Sequence, residues 1–413
     1  MKEREVIVQI LEKVLYDHAY ASLSLKKLKV DGSIGFVTEV VYGTLRHYFL
    51  LQEQYKAFVK KVKKKIDVLF VMAIYQHHFM KVPDYAIVNT SVELVKPQEK
   101  SFVNAVLRKV FQADWIEPRG NEPKDLALRY SHPEWLIRLW LAQYGLEKTL
   151  EILEENQKPS KVYGRINPFS DKKEDLKDFT FYENECVSYE GNILSTKAFQ
   201  SHQVLIQDRH SQLVVPELDL RSGLSVLDAC ASPGTKSQQI ATYMDNEGEI
   251  ISCDIYPHRL ELINQLSQQT GTKIIHTLKQ DAGCLRSDWL NHFDRILLDV
   301  PCSGLGDLSH KPEIRYHISP NSLDEIQQLQ AKILEINVQY LKEDGILVYS
   351  TCTLNQKENH KQIQNFLDKH EEVQLVSEKT LFPKEGSDGF YYAKLRRKKK
   401  DMVKSKLCKQ YMI

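Results

Sequence analysis

The 413-residue sequence contains no uninterrupted apolar run approaching the roughly 18 residues that a membrane-spanning helix needs. It opens on the charged residues MKEREV, which do not match the apolar stretch of a signal peptide. A soluble, cytoplasmic protein with no membrane partner is therefore expected. Cysteine is scarce: seven residues, an odd number without CxxC spacing, argue against both a disulfide framework and a zinc site. Reduced thiols and no metal are expected. Net charge is small as well, at +1, but it is unevenly spread. Residues 1–127 carry 20 Lys and Arg against 15 Asp and Glu, residues 394–413 carry 9 against 1, and the stretch between carries 27 against 39. Basic ends around an acidic middle suggest that the ends meet a polyanion first.

The length predicts two or three domains. Residues 1–127 read as helices, with Val6, Ile10, Leu11, Val14 and Leu15 on one face and Ile34, Val37, Val40 and Val41 at similar spacing. Lys60, Lys61, Lys63, Lys64 and Lys65 cluster ahead of IDVLFVMAIYQ as candidate phosphate contacts. PRGNEP (118–123) reads as a linker, because two prolines and a glycine stop helices. Residues 128–220 read as a small α+β lead-in, in which SHPEWLIRLWLAQYG is an amphipathic helix bounded by Pro133 and Gly145. GRINPF starts its short strands, and His210 near its end is assigned a structural role.

Residues 221–395 alternate strands and helices. LSVLD (224–228), EIISCD (249–254), KIIHT (273–277), RILLD (295–299) and ILVYS (346–350) are the strand candidates of a doubly wound parallel sheet. Pro257 and Gly271 bound one helix, and Ser322 with Glu325 reads as the capping box of another. EVQLVSE and GFYYAKLR read as an edge hairpin, and residues 396–413 as a flexible basic tail.

Chemistry concentrates at the carboxyl ends of these strands, where open α/β sheets bind ligands. The first strand leads into Asp228-Ala-Cys-Ala-Ser-Pro-Gly-Thr-Lys-Ser237, whose small residues let amides at a helix start approach a carboxylate or a phosphate. This loop is neither GxGxxG nor GxxxxGKS/T, which disfavours a dinucleotide or a nucleoside triphosphate. Asp254 ends the second strand, where an acid accepts ribose hydroxyls, and Asp281 follows the third, where it can accept an adenine amino group. An adenosine with a charged amino-acid tail is S-adenosylmethionine.

The fourth strand, in FDRILLDVPCSG, delivers Asp299 and Cys302, and ILVYSTC delivers Cys352. Amine-methylating enzymes of this fold tend to carry an Asp/Asn-Pro-Pro-aromatic loop at the fourth strand. Two thiols suit carbon 5 of a pyrimidine, which is too weak a nucleophile until a thiolate adds to carbon 6 and makes it enamine-like. A free thiol titrates near about 8.5, so a nearby cation or base is required. Spacing alone leaves open which cysteine attacks.

DACASPGTKS, DVPCSGLG and STCTLNQKEN together resemble the motifs of the NOL1/NOP2/Sun family of RNA 5-methylcytosine methyltransferases. VNTSVELVK (88–96) and FVNAVLRKV (102–110) resemble the NusB-type helical RNA-binding domain. These resemblances imply a doubly wound, Rossmann-like S-adenosylmethionine methyltransferase domain, preceded by an all-α NusB-like domain and the α+β lead-in. They imply Cys352 as the nucleophile and Cys302 as the residue that helps remove the carbon 5 proton and expel the enzyme. Asp299 would hydrogen-bond cytosine N3 and lie near the cofactor methyl.

For the cofactor they imply Cys230, Ala231, Ser232, Pro233, Gly234, Thr235, Lys236, Asp254, Asp281 and Asp299. Arg259, one helical turn past Asp254, is a brace for that site. Lys311 and Arg315, in HKPEIRYH, are candidate contacts to the RNA backbone. Ser232 and Thr235 depart from the Ala and Gly of a CAAPGGK-like loop, and Thr353 stands where Ser is common. Thr235 matters most, because it puts a side chain where close backbone approach is expected. Cys253 and Cys284 belong to no motif and are expected to pack.

Together the resemblances narrow the expected substrate to one cytosine of 16S rRNA, in the hairpin loop facing the peptidyl-tRNA site. The base must leave its stack, which favours unassembled or partly assembled RNA, and a monomeric enzyme is expected. The alternatives are the same chemistry on tRNA or 23S rRNA, a non-catalytic RNA-binding or assembly factor, and a DNA cytosine-5 methyltransferase using Cys302. A non-catalytic factor predicts decay of at least one chemical residue, yet both cysteines and all the strand-end acids are present. The DNA enzyme is disfavoured by the Thr-Cys motif and the helical front domain.

Overall fold

The computed structural model describes residues 2–27 and 31–399. The chain forms two compact units: one runs up to Pro159 and includes Leu308–Ser319, and the other comprises Ser160–Asp307 and the residues from Pro320 on.

The first unit is helical, as its apolar spacing predicts. Helix Lys64–His78 is buried without a break from Ile66 to Gln76, the pattern of a helix surrounded by others. Its one acid, Asp67, is 3% exposed. The hydroxyls of Tyr16 (2.5 Å), Tyr48 (2.7 Å) and Tyr55 and the amide of Gln52 (2.8 Å) all donate to this carboxylate, so it is satisfied without a cation.

Helices Pro123–Arg129 and Glu134–Gln157 also belong to this compact unit. The cause is local bonding: the Ser131 hydroxyl accepts from Leu50 N at 3.2 Å. The PRGNEP segment is tied down by Arg129, which donates to the carbonyls of Pro118 and Gly120 at 2.7 Å each. Helix Glu134–Gln157 breaks at Gly145 (φ 75°, ψ 177°), where the sequence predicts a stop.

Leu308–Ser319 lies far along the chain yet belongs to the helical unit. Glu313, 1% exposed, accepts from Ala21 N at 2.9 Å, and the Tyr316 hydroxyl donates to Leu45 O at 2.5 Å. His317 Nε2 lies 2.7 Å from Val14 O.

The second unit holds two sheets. Strands β1 (Tyr163–Ile166), β2 (Phe179–Phe181), β3 (Cys186–Tyr189) and β4 (Val204–Ile206) form a small antiparallel sheet in the order β2-β3-β1-β4. Strands β5 (Ser225–Asp228), β6 (Glu249–Asp254), β7 (Ile275–Lys279), β8 (Phe293–Asp299), β9 (Leu341–Thr351), β10 (Val373–Leu381) and β11 (Phe390–Arg397) form the large one. Its order is β10-β11-β9-β8-β5-β6-β7. The five strands β5 to β9 are parallel, while β11 and β10 add an antiparallel edge hairpin as predicted. Strand order reverses between β5 and β8, and in open sheets of this kind ligands bind at the carboxyl ends of such a pair.

Two local readings change. The helix before β9 is Pro320–Asn337, so Ser322 lies within its first turn and not at its cap; Pro320, with its fixed φ, starts the helix earlier. Arg396 and Arg397 belong to β11, so the expected tail begins later, and its part from Lys400 on lies outside the described residues. Among the described residues no helix is long and apolar enough to cross a membrane.

Candidate active site

The loop after β5 turns at Gly234 (φ 105°) into helix Thr235–Tyr243. A Cβ at Gly234 would lie 3.2 Å from Ile263 Cα, so this position needs glycine both for its φ and for the approach of the next helix. Thr235 is already in helical backbone, so its departure from the family pattern leaves the turn intact. The first amides of that helix have no intrahelical acceptor and suit a carboxylate. Behind the loop, Arg165 of β1 is fully buried and donates to Gln207 (2.9 Å), Gln238 and Thr235 O (3.4 Å), tying the small sheet to this helix. His210 Nδ1 lies 2.6 Å from Asp388 O, which fits its structural assignment.

Asp254 ends β6 and is 7% exposed; its Oδ1 accepts from Tyr256 N at 2.9 Å and its Oδ2 lies 3.6 Å from Arg259. Asp281 follows β7, is exposed, and accepts from Gly283 N at 2.8 Å. Gln280 N donates to Asp254 O at 3.3 Å, which keeps the two acid loops together. Helix-start amides, an acid at β6 and an exposed acid after β7 fit the tail, ribose and adenine of S-adenosylmethionine.

Asp228 is fully buried, accepts from Ser237 Oγ at 2.6 Å, and is pushed up to about 7 by burial. Burial also drives the Cys230 thiol far above its ordinary range, with Asp228 and other carboxylates adding to it. Cys253 is buried and pushed up to about 12. Cys284, expected to pack, is instead exposed, because it sits on the Asp281 loop with its thiol 3.5 Å from that carboxylate.

Cys302 follows β8 and Cys352 follows β9, and these strands are parallel neighbours with Asp299 opposite Ser350. The two sulfurs are 3.1 Å apart, and both residues are half-buried. Asp299 accepts from Lys236 Nζ and from Ser350 Oγ, each at 2.8 Å. Burial opposes the charge on Lys236, but Asp299 outweighs it and holds the ammonium above its usual pKa. Cys352 contributes to the same raising of the Lys236 ammonium, which puts a cation within electrostatic reach of that thiol. The cleft thus gathers Cys302, Cys352, Asp299 and Lys236 within one set of strand ends.

The predicted RNA contacts separate. Lys311 is exposed, whereas Arg315 is fully buried and cannot reach a phosphate. Its guanidinium donates to the carbonyls of Arg46 (3.5 Å), Tyr130 (3.2 Å), Ser131 (3.3 Å) and Leu308 (3.2 Å), and burial lowers its pKa to about 10. Arg315 is a structural residue of the helical unit. Lys60, Lys61, Lys63, Lys64 and Lys65 are exposed, with Lys63 2.7 Å from Glu99.

Sequence reasoning missed a buried polar group behind the cysteines. Glu358 is fully buried. Its Oε1 accepts from Ser303 Oγ (2.6 Å) and Asn355 Nδ2 (3.1 Å), and its Oε2 from Ser303 N (2.9 Å) and Gln330 Nε2 (3.0 Å). Ser303 Oγ also lies 2.7 Å from Thr353 Oγ1. The available signal was the polar run STCTLNQKEN, directly after an apolar strand and too polar for an ordinary loop to bury.

A Rossmann-like sheet with a small-residue turn after its first parallel strand and acids at the next two strand ends defines a methyltransferase-class fold. The profile described as 16S rRNA methyltransferase RsmB/F matches residues 215–396, the NusB family matches residues 1–112, and the RsmF/B-like ferredoxin-like domain matches residues 132–178. The chain is 34% identical to the probable ribosomal RNA small subunit methyltransferase B of Bacillus subtilis, covering 96% of this chain and 98% of that protein. It is 29% identical to the ribosomal RNA small subunit methyltransferase B of Vibrio cholerae, covering 86% and 88%. The chain belongs to the RsmB/F methyltransferase family. Among solved structures it is similar in fold to PH0851 (TM-score 0.80, 22% identity, 95% of this chain and 98% of that one). A methyltransferase homolog protein from Pyrococcus horikoshii superposes with TM-score 0.60 at 27% identity, over 68% of this chain and 100% of that one.

Proposed function

We propose that this methyltransferase modifies carbon 5 of one cytosine in 16S rRNA, through a covalent adduct between Cys352 and carbon 6. The reading is carried by the two thiols 3.1 Å apart, following neighbouring parallel strands whose ends also carry the Lys236–Asp299 pair. Two thiols so close can act in turn on adjacent atoms of one ring. The 16S target is supported by the named activity of the curated relatives.

S-adenosylmethionine, held by the 230–236 loop, Asp254 and Asp281, supplies an electrophilic methyl when bound. Lys236 favours the thiolate form of the attacking cysteine. As the Cys352 sulfur bonds to carbon 6, charge moves onto the ring; N3 takes a proton from the Lys236–Asp299 pair through the Asp299 carboxyl and returns it as the ring double bond re-forms. Carbon 5 then carries the electron pair that accepts the methyl group. Cys302 helps remove the carbon 5 proton; the C5–C6 double bond re-forms as the C6–S bond breaks, and Cys352 leaves as thiolate. The exposed lysines of the helical unit and Lys311 supply phosphate contacts that position the RNA.

The test incubates wild type, Cys302→Ala and Cys352→Ala with S-adenosylmethionine and unmodified 16S rRNA, scores adducts that survive denaturation, and maps 5-methylcytosine. Adduct accumulation in Cys302→Ala, with neither adduct nor product in Cys352→Ala, is expected. An active Cys352→Ala overturns the assignment. Modification of tRNA or 23S rRNA in place of 16S rRNA overturns the substrate and leaves the chemistry.

A further inference from the structure

The proposed chemistry demands that Cys302 and Cys352 reach the same base in sequence, yet they sit on separate loops. Strand pairing fixes Cys352, one residue past the end of β9, and Gly306 N donates to Cys352 O at 3.0 Å. Cys302 lies in an irregular stretch, three residues past the end of β8. That stretch is tied to the β9 side at both ends, by Gly306 and by Val300 N, which donates to Ser350 O at 3.1 Å, and Cys302 lies between these ties, where side chains must hold it.

The residues immediately following the two cysteines do this through one carboxylate. Ser303, Thr353, Asn355, Glu358 and Gln330 are each at most 5% exposed. Each Ser303 group has a partner in the cluster: its N–H and its Oγ–H both go to Glu358. A hydroxyl has one proton, so the 2.7 Å contact between Ser303 and Thr353 requires Thr353 to donate. Thr353 in turn accepts from Asn355 N at 3.3 Å. The donors therefore run one way, from Asn355 through Thr353 and Ser303 to Glu358, and all four donors to the carboxylate are neutral. Replacing the carboxylate with an amide breaks this direction whichever way it lies. Its NH2 faces either Ser303 N and Gln330, which cannot accept there, or Ser303 Oγ and Asn355 Nδ2, where the hydroxyl relay must reverse.

We infer that Glu358 is a positioning residue for the cysteine pair, acting through Ser303 and Thr353 to hold Cys302 beside Cys352 for the release step. This rests on the proposed adduct chemistry. Because Cys352 directly follows β9, while Cys302 lies between the backbone ties at Val300 and Gly306, loss of the carboxylate moves Cys302 first. Attack and methylation then persist while release slows.

The experiment compares Glu358→Gln, Ser303→Ala and Cys302→Ala with wild type, using full-length protein, S-adenosylmethionine and unmodified 16S rRNA. It measures single-turnover methylation, multiple-turnover rate, and the fraction of methylated RNA that remains bound to protein after denaturation. For Glu358→Gln the expected result is multiple turnover slowed on the order of 10- to 100-fold, as an ångström-scale misplacement costs. Single-turnover methylation falls far less, and methylated adduct accumulates. Ser303→Ala, which keeps the N–H bond to Glu358 but cuts the hydroxyl relay, shows the same pattern more weakly and decides the matter if Glu358→Gln does not fold.

A merely structural role lowers single and multiple turnover together without adduct, and that result overturns the inference, as does wild-type turnover in both variants. If Cys302→Ala itself accumulates no adduct, the underlying chemistry fails first. If Cys302→Ala traps adduct and the Glu358 and Ser303 variants do not, only the role of Glu358 fails.

Discussion

At the strand-end cleft, Asp299 is partly open to solvent and meets a cation, Lys236, at 2.8 Å. Next to the cysteine loops, Glu358 is sealed and accepts from four neutral donors among the described residues, and in the helical unit Asp67 and Arg315 follow the same pattern with tyrosines and backbone carbonyls. The difference reflects what each charge is for. A charge in the cleft must remain available to a substrate, so it is balanced by another charge that can share it. A sealed charge is carried by several neutral partners at once, since removing one partner exposes the full desolvation cost of the other. Cleft charges therefore report on rate, and sealed ones on stability or loop geometry.

The largest expected effect tests the cleft side. Asp299→Asn keeps the shape and the Ser350 contact but leaves Lys236 without its counter-charge. Its turnover should fall on the order of 100-fold or more, with little change in thermal midpoint. A midpoint that collapses with activity would place Asp299 among the sealed charges.

Arg315→Ala tests the other side. It removes a donor from four carbonyl groups in the helical unit, of which those of Tyr130 and Ser131 keep another, and should cost about 2–4 kcal/mol in a denaturant titration, with the salt dependence of RNA binding unchanged in the folded protein. Lys311→Ala, a few residues away, should do the opposite: unchanged stability, weaker RNA binding, and a slope of affinity against salt reduced by about 1. Equal effects of the two substitutions on RNA affinity would erase the distinction.

The smallest effect concerns Asp228, a sealed acid with too few donors: its Oδ1 has no hydrogen-bond partner among the described residues. Its folded pKa of about 7 lies above the ordinary 3.8, so the folded state holds a proton that the unfolded state releases. The stability this group contributes is complete below about pH 4 and is lost as pH rises through 7. Asp228→Asn does not titrate, so its thermal midpoint relative to wild type should rise between pH 5 and pH 8. A pH-independent difference would mean that burial does not perturb Asp228.

Much of the cleft was legible because its signals are local. An apolar strand followed by an acid, a small-residue turn or a cysteine reads the same in the chain as in the fold, and Asp254, Asp281, Asp299, Cys302 and Cys352 all sit at strand ends for that reason. The edge hairpin and the helix bounded by Pro257 and Gly271 were legible on the same terms. The sealed charges were not. Glu358 depends on residues 303 and 330 meeting it, and no window of sequence contains them together. Arg315 was misread because HKPEIRYH is a polar stretch that looks solvated, while its acceptors lie near residues 46 and 130. The Lys236–Asp299 pair joins two correctly chosen residues across 63 positions, and their pairing was visible only once the sheet was formed.

The segment 308–319 bears on how such proteins can be taken apart or recombined. The helical unit is written in two instalments, the second inside what the sequence presents as the catalytic half. Transplanting a front domain from a relative by a single crossover near residue 160 would pair new carbonyl acceptors with an old guanidinium, and new contacts with an old Glu313 and Tyr316. The unit of exchange is therefore discontinuous: residues up to Pro159 travel with residues 308–319 or not at all.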